Sequence, residues 1–254
     1  VVPPTPLLAD PIDASTVVDL RQPLVDWLLD PQDRRFARSM ANRIWGYLLG
    51  TGVVNPVDDM RSTNPPSNPE LLDALAEHLV DSGYDLRQLL RSILNSRVYQ
   101  LRGTPRQENL NQTRFYTHYN VKRLPAEVLL DAINSACGTR EAFPDVPLGT
   151  RAIELPDPNF ESYFLDTLGR PQRLTHCECE RTAEPNIAQV LHLANGALLQ
   201  QKLADEKGRI TQLIKRGITD GQAIRELYLV TFSRIPSDEE TRNCQRLIGQ
   251  SATR

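Results

Sequence analysis

Residues 33–50 read DRRFARSMANRIWGYLLG, and within them Phe36, Met40, Ile44 and Tyr47 recur at spacings of four, four and three. That rhythm returns each side chain to the same side of an α-helix, whereas a half-buried strand would alternate every second residue. Gly50 and Gly52 close the run with residues that tolerate the left-handed turn at a helix end. Trp45 falls inside the helix and reads as core.

The same signature repeats on both sides. Residues 19–30, DLRQPLVDWLLD, predict a short helix with Pro23 in its first turn, where the missing N–H is harmless, and Trp27 in its core. Residues 55–70, NPVDDMRSTNPPSNPE, carry four prolines and no apolar period, so they predict an ordered loop. The loop ends in a helix start: Asn68 is suited to cap, Pro69 to the first helical position, and Glu70 to the positive end of the dipole. That helix runs to Gly83, and Asp85 caps another over 86–100. Residues 103–123 are polar and irregular and read as a linker. Residues 124–138, LPAEVLLDAINSACG, form a helix opened by Pro125 and closed by Gly138.

Beyond it, residues 139–158 hold four prolines and read as a surface excursion, followed by a short helix in NFESYFLDTLG at 159–169. In residues 184–203, Ile187, Val190, Leu191, Ala194 and Leu198 share one stripe. Residues 209–216 predict a weaker helix, and 220–232 align Ile224, Leu227, Tyr228 and Thr231. Ser237 and Glu240, three apart, predict a capping box for the last helix. No apolar alternation exceeds four residues. The expected fold is an all-α, multi-helix bundle with long ordered Pro-rich loops. Its expected divisions are an extended segment at 1–18, a sub-bundle at 19–102, the linker at 103–123, and a second sub-bundle at 124–250 packed on the first in one compact domain.

Composition narrows the function. The 254 residues include 40% hydrophobic and 24% charged side chains, a globular balance, with 29 basic against 32 acidic residues and a net charge of −3. A nucleic-acid binder needs a basic footprint to displace counterions, so no nucleic-acid partner is expected. No apolar run reaches the length of a membrane span. The chain opens VVPPTPLLADP, without an initiator Met or a signal-peptide pattern, and reads as a mature piece or fragment.

Two places concentrate chemistry. Arg43 lies seven residues after Phe36, almost two full turns, and so on the apolar stripe. A guanidinium there keeps its proton and requires a carboxylate; Asp58 or Asp59 in the following loop is the expected partner, with Arg61 beside them. The pair reads as a structural bridge between loop and helix, or as a substrate-binding Arg–Asp pair.

The second place is LTHCECERTAEPN, residues 174–186. Covalent haem attachment needs Cys-x-x-Cys-His, which His176, Cys177 and Cys179 do not supply. Cys-x-Cys offers at most half a zinc tetrahedron, and Cys137, Cys244, His78, His118 and His192 stand at no recognisable spacing to complete it, so no metal is assigned. A Cys177–Cys179 disulfide would be strained; pairing of either with Cys137 or Cys244, or four unbridged thiols, are the other arrangements. If this segment is extended, Cys177 and Cys179 face one way and Glu178 and Glu180 the other. Arg170, Arg173 and Arg181 flank them, giving either a solvated loop with ion pairs or a cleft in which Glu178 or Glu180 serves as acid or base beside anion-binding arginines. No Gly-rich phosphate loop, nucleophile elbow or His-Glu-x-x-His motif is present.

The blocks FARSMANRIWGYLLGTGVVNPVDDMRSTNPPSNPELLDALAEHLVDSGYDLRQLLRSILNSRVYQL, RLPAEVLLDAI, LGRPQRLTHCECERTAEPNIAQVLHLANG and ELYLVTFSRIPSDEE resemble a planctomycete-specific domain of unknown function, over residues 19 to 250. The resemblance implies an exported protein, periplasmic or at the cell surface. In that family the domain follows a planctomycete-type cytochrome c domain and a second uncharacterised domain, sometimes with a lectin-like one. It implies no cofactor in this chain, with haem c on a separate domain. The implied partners are neighbouring domains of the same protein, together with a polysaccharide or a redox partner. Many family members carry His where this chain has Tyr47 and Asn68, which argues against an obligatory metal ligand at either. The CECER segment is one of at least two styles in the family, so its thiols serve a subset.

Two functions remain open on this basis. One is a non-catalytic helical docking module. The other is an enzyme or half-site whose cleft joins Arg43, Asp58, Asp59 and Arg61 to Arg170, Arg173, Cys179, Glu180 and Arg181, acting on an anionic or carbohydrate substrate.

Overall fold

A computed structural model describes residues 5, 10–13, 15, 17–19, 21–110, 112, 114–174 and 186–250. Helices account for all of the regular structure: no strand occurs among the described residues, and the fold is all-α. The chain divides into two compact units, Val1–Lys122 and Arg123–Arg254.

The first unit contains α1 (Arg21–Leu28), α2 (Arg35–Leu49), α3 (Pro69–Asp81) and α4 (Leu86–Leu94). Its core is built on α2, but not on the expected stripe. Ala37, Ala41, Trp45 and Leu49 are buried, at successive spacings of four, against Leu72, Ala76 and Leu79 of α3 and Leu89 and Ile93 of α4. Phe36, Met40 and Ile44 lie half-buried one residue to the side, and Tyr47 is exposed. The distance between packed helices depends on the side chains at their contact, and the alanines at the centre of this one permit a close approach. Counting large apolar residues finds the margin of such a contact rather than its middle. Each leucine sealed into the core contributes about 1.5–3 kcal/mol.

Helix ends follow their local chemistry. Asn68 Oδ1 accepts from the Leu71 N–H at 3.0 Å, and Asp85 Oδ1 from Arg87 N–H at 2.8 Å. Helix α4 stops six residues before the expected position. The Ser96 hydroxyl donates to the Ile93 carbonyl at 2.6 Å and accepts from Tyr99 N–H at 3.3 Å, a local pairing that competes with further helix. The stretch 103–123 that read as linker is instead anchored to α2 and its end through two tyrosines: Tyr116 and Tyr119 donate to the carbonyls of Thr51 (3.1 Å) and Leu48 (3.0 Å), and the Tyr116 ring meets Trp45 edge-on at 5.4 Å.

The second unit contains α5 (Ala126–Cys137), α6 (Tyr163–Thr167), α7 (Ile187–Asn195), α8 (Ala197–Leu203), α9 (Arg209–Lys215), α10 (Asp220–Phe232) and α11 (Asp238–Gln250). Residues 139–158 are more than a surface excursion, because Phe143, Ala152 and Leu155 enter the core with Leu130, Phe164, Leu165 and Leu168. Asp131 draws them in, its two oxygens accepting from Ala152 N–H (2.8 Å) and Ile153 N–H (3.2 Å). The stripe expected over 187–198 is interrupted. Gly196 is extended between α7 and α8, and a Cβ there would collide with the His192 carbonyl oxygen.

Candidate functional site

Within the first unit the loop after α2 is fastened by an amide before any charge acts. Asn42 is fully buried on the same side of α2 as Trp45 and Leu49. Its Nδ2 donates to the carbonyls of Val54 (2.9 Å) and Val57 (3.1 Å), and its Oδ1 accepts from Val54 N–H at 2.8 Å. One side chain thereby satisfies three backbone groups of a segment that has no helix to satisfy them. The contact requires Gly52, where a Cβ would collide with the Val54 carbonyl oxygen and stand 3.0 Å from Asn42 Oδ1. Ser67 holds the far end of the loop, its N–H donating to Val53 O at 2.8 Å.

The charged residues sit outside this clamp. Arg43 pairs with Asp58, but its side chain is 30% exposed rather than buried on an apolar face. Seven residues turn a helix about 700°, which places Arg43 beside Phe36, and Phe36 itself lies at the margin of the core. Asp59 pairs with Arg61, Nη2 to Oδ2 at 2.7 Å, and that hydrogen bond holds the Asp59 carboxyl below the usual carboxylate range. Both carboxylates are thus committed to arginines, and the lowered pKa of Asp59 removes it as a general acid at neutral pH.

In the second unit Arg170 and Arg173 follow α6 and do different things. The Arg170 side chain is only 6% exposed; its Nη2 donates to Asp166 at 2.7 Å, while Nε and Nη1 are buried without a partner among the described residues. Arg173 donates to the Pro156 carbonyl at 3.3 Å. Cys137 is a buried free thiol at the end of α5, and burial raises its pKa against the opposing pull of Lys202 and Arg209, so it is not an activated nucleophile. Cys244 is a free thiol on α11. His176, Cys177, Glu178, Cys179, Glu180 and Arg181, and with them the proposed cleft chemistry, lie outside the described residues. Among the described residues no group of three His, Cys, Asp or Glu side chains is placed to hold a metal ion.

Helix α7 inverts the expected pattern. Gln189 is turned inward and is 4% exposed; its Nε2 donates to the Thr167 carbonyl at 3.2 Å and its Oε1 accepts from Arg123. A reciprocal cap fixes that direction, with Gln189 N–H donating to Asn186 Oδ1 at 2.9 Å and Asn186 N–H to Gln189 Oε1 at 3.3 Å. His192 joins the inner side, its ring meeting those of Tyr163 (5.1 Å) and Phe164 (5.4 Å). Leu193 packs against the core, whereas three apolar side chains of the expected stripe point to solvent: Ile187 is 78% exposed, Val190 60% and Leu191 55%. Asn42 and Gln189 were not among the residues expected to matter. The available signal was an amide at helical spacing from core positions, in a type that is a weak helix former or a polar intruder.

The model of one family matches residues 20–248, nearly the whole chain. The chain belongs to PSD1, described as Protein of unknown function (DUF1553). No curated protein and no solved structure matches it significantly. In this PSD1 chain, then, the amide clamp under the Pro-rich loop serves the fold, and the α7 face is one of the apolar surfaces that the fold leaves exposed.

Proposed function

We propose that this PSD1 chain is a non-catalytic helical docking module of an exported protein, and that its α7 face seats a neighbouring domain of the same polypeptide. One observation carries the reading: α7 buries its amide and presents Ile187, Val190 and Leu191 to water. Covering those three side chains is worth about 1.5–3 kcal/mol each. Three residues fall well short of the roughly 20–30 per side of a free-standing specific interface. A tethered partner needs less, because linkage turns the encounter into an intramolecular event at an effective concentration near millimolar. That favours a domain on the same chain over a diffusing one. The resemblance to planctomycete-specific proteins supplies its expected identity, a cytochrome c-type domain carrying the haem, at the periplasm or cell surface. Two of the candidate cleft carboxylates support a structural role too, since Asp58 and Asp59 are each held by an arginine.

Hydrogen exchange at residues 187–194, compared between this chain alone and the full-length protein, tests the proposal. Docking predicts at least tenfold slower exchange in the full-length protein and restoration of fast exchange by Val190→Asp with Leu191→Asp. Equal exchange in the two proteins overturns it.

A second reading, an enzyme half-site acting on an anionic or carbohydrate substrate, has Arg170 in its favour. Two buried nitrogens of that guanidinium, Nε and Nη1, have no acceptor among the described residues. Protection confined to residues 166–173 on adding an anionic substrate, with none at α7 in the full-length protein, would select it.

A further inference from the structure

Part of the stretch that read as linker borders a half-open cavity of about 630 Å³ in the first unit. Arg102, Thr104, Arg106, Asn109, Thr117 and His118 line it, and among the described residues no carboxylate does. In a chain of net charge −3, a cavity wall with two guanidinium groups and an imidazole, and no acid among the described residues, is a local departure from the composition. Neither guanidinium forms an ion pair among the described residues, although Glu108 lies two positions from Arg106.

The wall is built rather than incidental. Tyr119 N–H donates to the Arg102 carbonyl at 3.0 Å, and the Tyr119 hydroxyl anchors to the Leu48 carbonyl of α2 at 3.0 Å. On the opposite side, Arg106 N–H donates to Asn109 Oδ1 at 2.7 Å, which leaves the Asn109 amide nitrogen as a donor. Thr117 Oγ1 lies 3.3 Å from His118 Nδ1, and His118 Nε2 has no partner among the described residues. The backbone that carries both arginines is thus tied to the helical core at one end and to itself at the other.

Guanidinium groups match the paired oxygens of carboxylate, phosphate and sulfate, and hydroxyls and amides match a polyol. The volume lies within the range of small-molecule sites. We propose that this cavity binds the oxyanion group of a small hydroxylated ligand, with Arg102 and Arg106 on the anion and Thr104, Asn109 and Thr117 on its hydroxyls. This is independent of the α7 face and of the docking role.

Isothermal titration of the chain at fixed ionic strength with glucuronate, glucose 6-phosphate and glucose 6-sulfate, against glucose, tests it, and the tightest of the three names the oxyanion. The expected result is one site per chain for at least one anion, with glucose at least tenfold weaker. Arg102→Gln with Arg106→Gln should weaken the anion at least tenfold, while the exposed Arg242→Gln leaves it unchanged. Three results each overturn the proposal: no binding of any anion, glucose binding as well as the anions, or wild-type affinity in the double variant.

Discussion

Asn42 and Arg234 perform the same task in the two units, each tying the segment after a helix back to its surroundings, and they do it under opposite conditions. Asn42 is sealed beneath the loop that follows α2 and bonds only to backbone. Arg234, just past the end of α10, is largely in water. Its two Nη atoms reach the Glu240 oxygens of α11 at 2.8 and 2.7 Å, and its guanidinium stacks over Tyr228 (5.4 Å) and Phe232 (5.8 Å). Hydrogen bonds shielded from water are electrostatically stronger, and groups left unpaired there are penalised more. The first unit is accordingly closed, with one core cluster that takes in α2, α3 and α4. The α10–α11 hairpin is fastened from outside, and Leu229, Phe232 and Ile235 remain exposed next to the fastening. An interior tie completes a core, while an exterior tie fixes a geometry and leaves apolar surface open.

The largest effect that could break this contrast belongs to Asn42→Ala. The substitution strands the Val54 N–H and the Val54 and Val57 carbonyls, and an unsatisfied buried group costs about 1–3 kcal/mol. Partial relaxation of the loop toward water lowers the sum, so urea unfolding should show a loss of about 3 kcal/mol. A loss below about 1 kcal/mol would mean the loop holds without its interior tie.

Arg43→Ala sharpens the same comparison within the first unit. Its ion pair with Asp58 touches the same loop, but both side chains are about one-third exposed. Solvent screening limits such a pair to about 0–1 kcal/mol. The expected loss in the same urea experiment is therefore under about 1 kcal/mol. If Arg43→Ala matched Asn42→Ala, charge rather than the amide would be holding the loop.

What the sequence disclosed divides along the same line. Features set within a few residues were legible: the caps at Asn68 and Asp85, the capping box of Ser237 and Glu240, and the left-handed closures at Gly50 and Gly138. Each depends on chain neighbours, so spacing alone encodes it. Features set by a distant partner were misplaced or missed. The centre of α2 shifted by one residue because α3 packs on its alanines, and α7 turned Leu191 outward because Asn186, Thr167 and Arg123 claim Gln189. The cavity around Arg102 and Arg106 was hidden in a polar segment that shows no period, since its shape depends on Tyr119 reaching α2.

The smallest expected effect concerns the exterior tie, and pH isolates it. The Arg234 hydrogen bonds, aided by the Ser237 N–H, lower the Glu240 carboxyl from 4.5 to about 2. A carboxyl whose folded pKa is depressed binds protons more readily when unfolded, so its contribution is complete above about 4.5 and is lost as pH falls through about 2. Titration of the Glu240 side-chain carbon by NMR should therefore give a midpoint near 2, and Arg234→Gln should move it toward 4.5. The α10–α11 contacts should loosen over that window while the Asn42 clamp, which has no titrating group, holds. A midpoint unmoved by Arg234→Gln would show that the hairpin is set by its capping box alone, and the two units would then differ in burial but not in how they are tied.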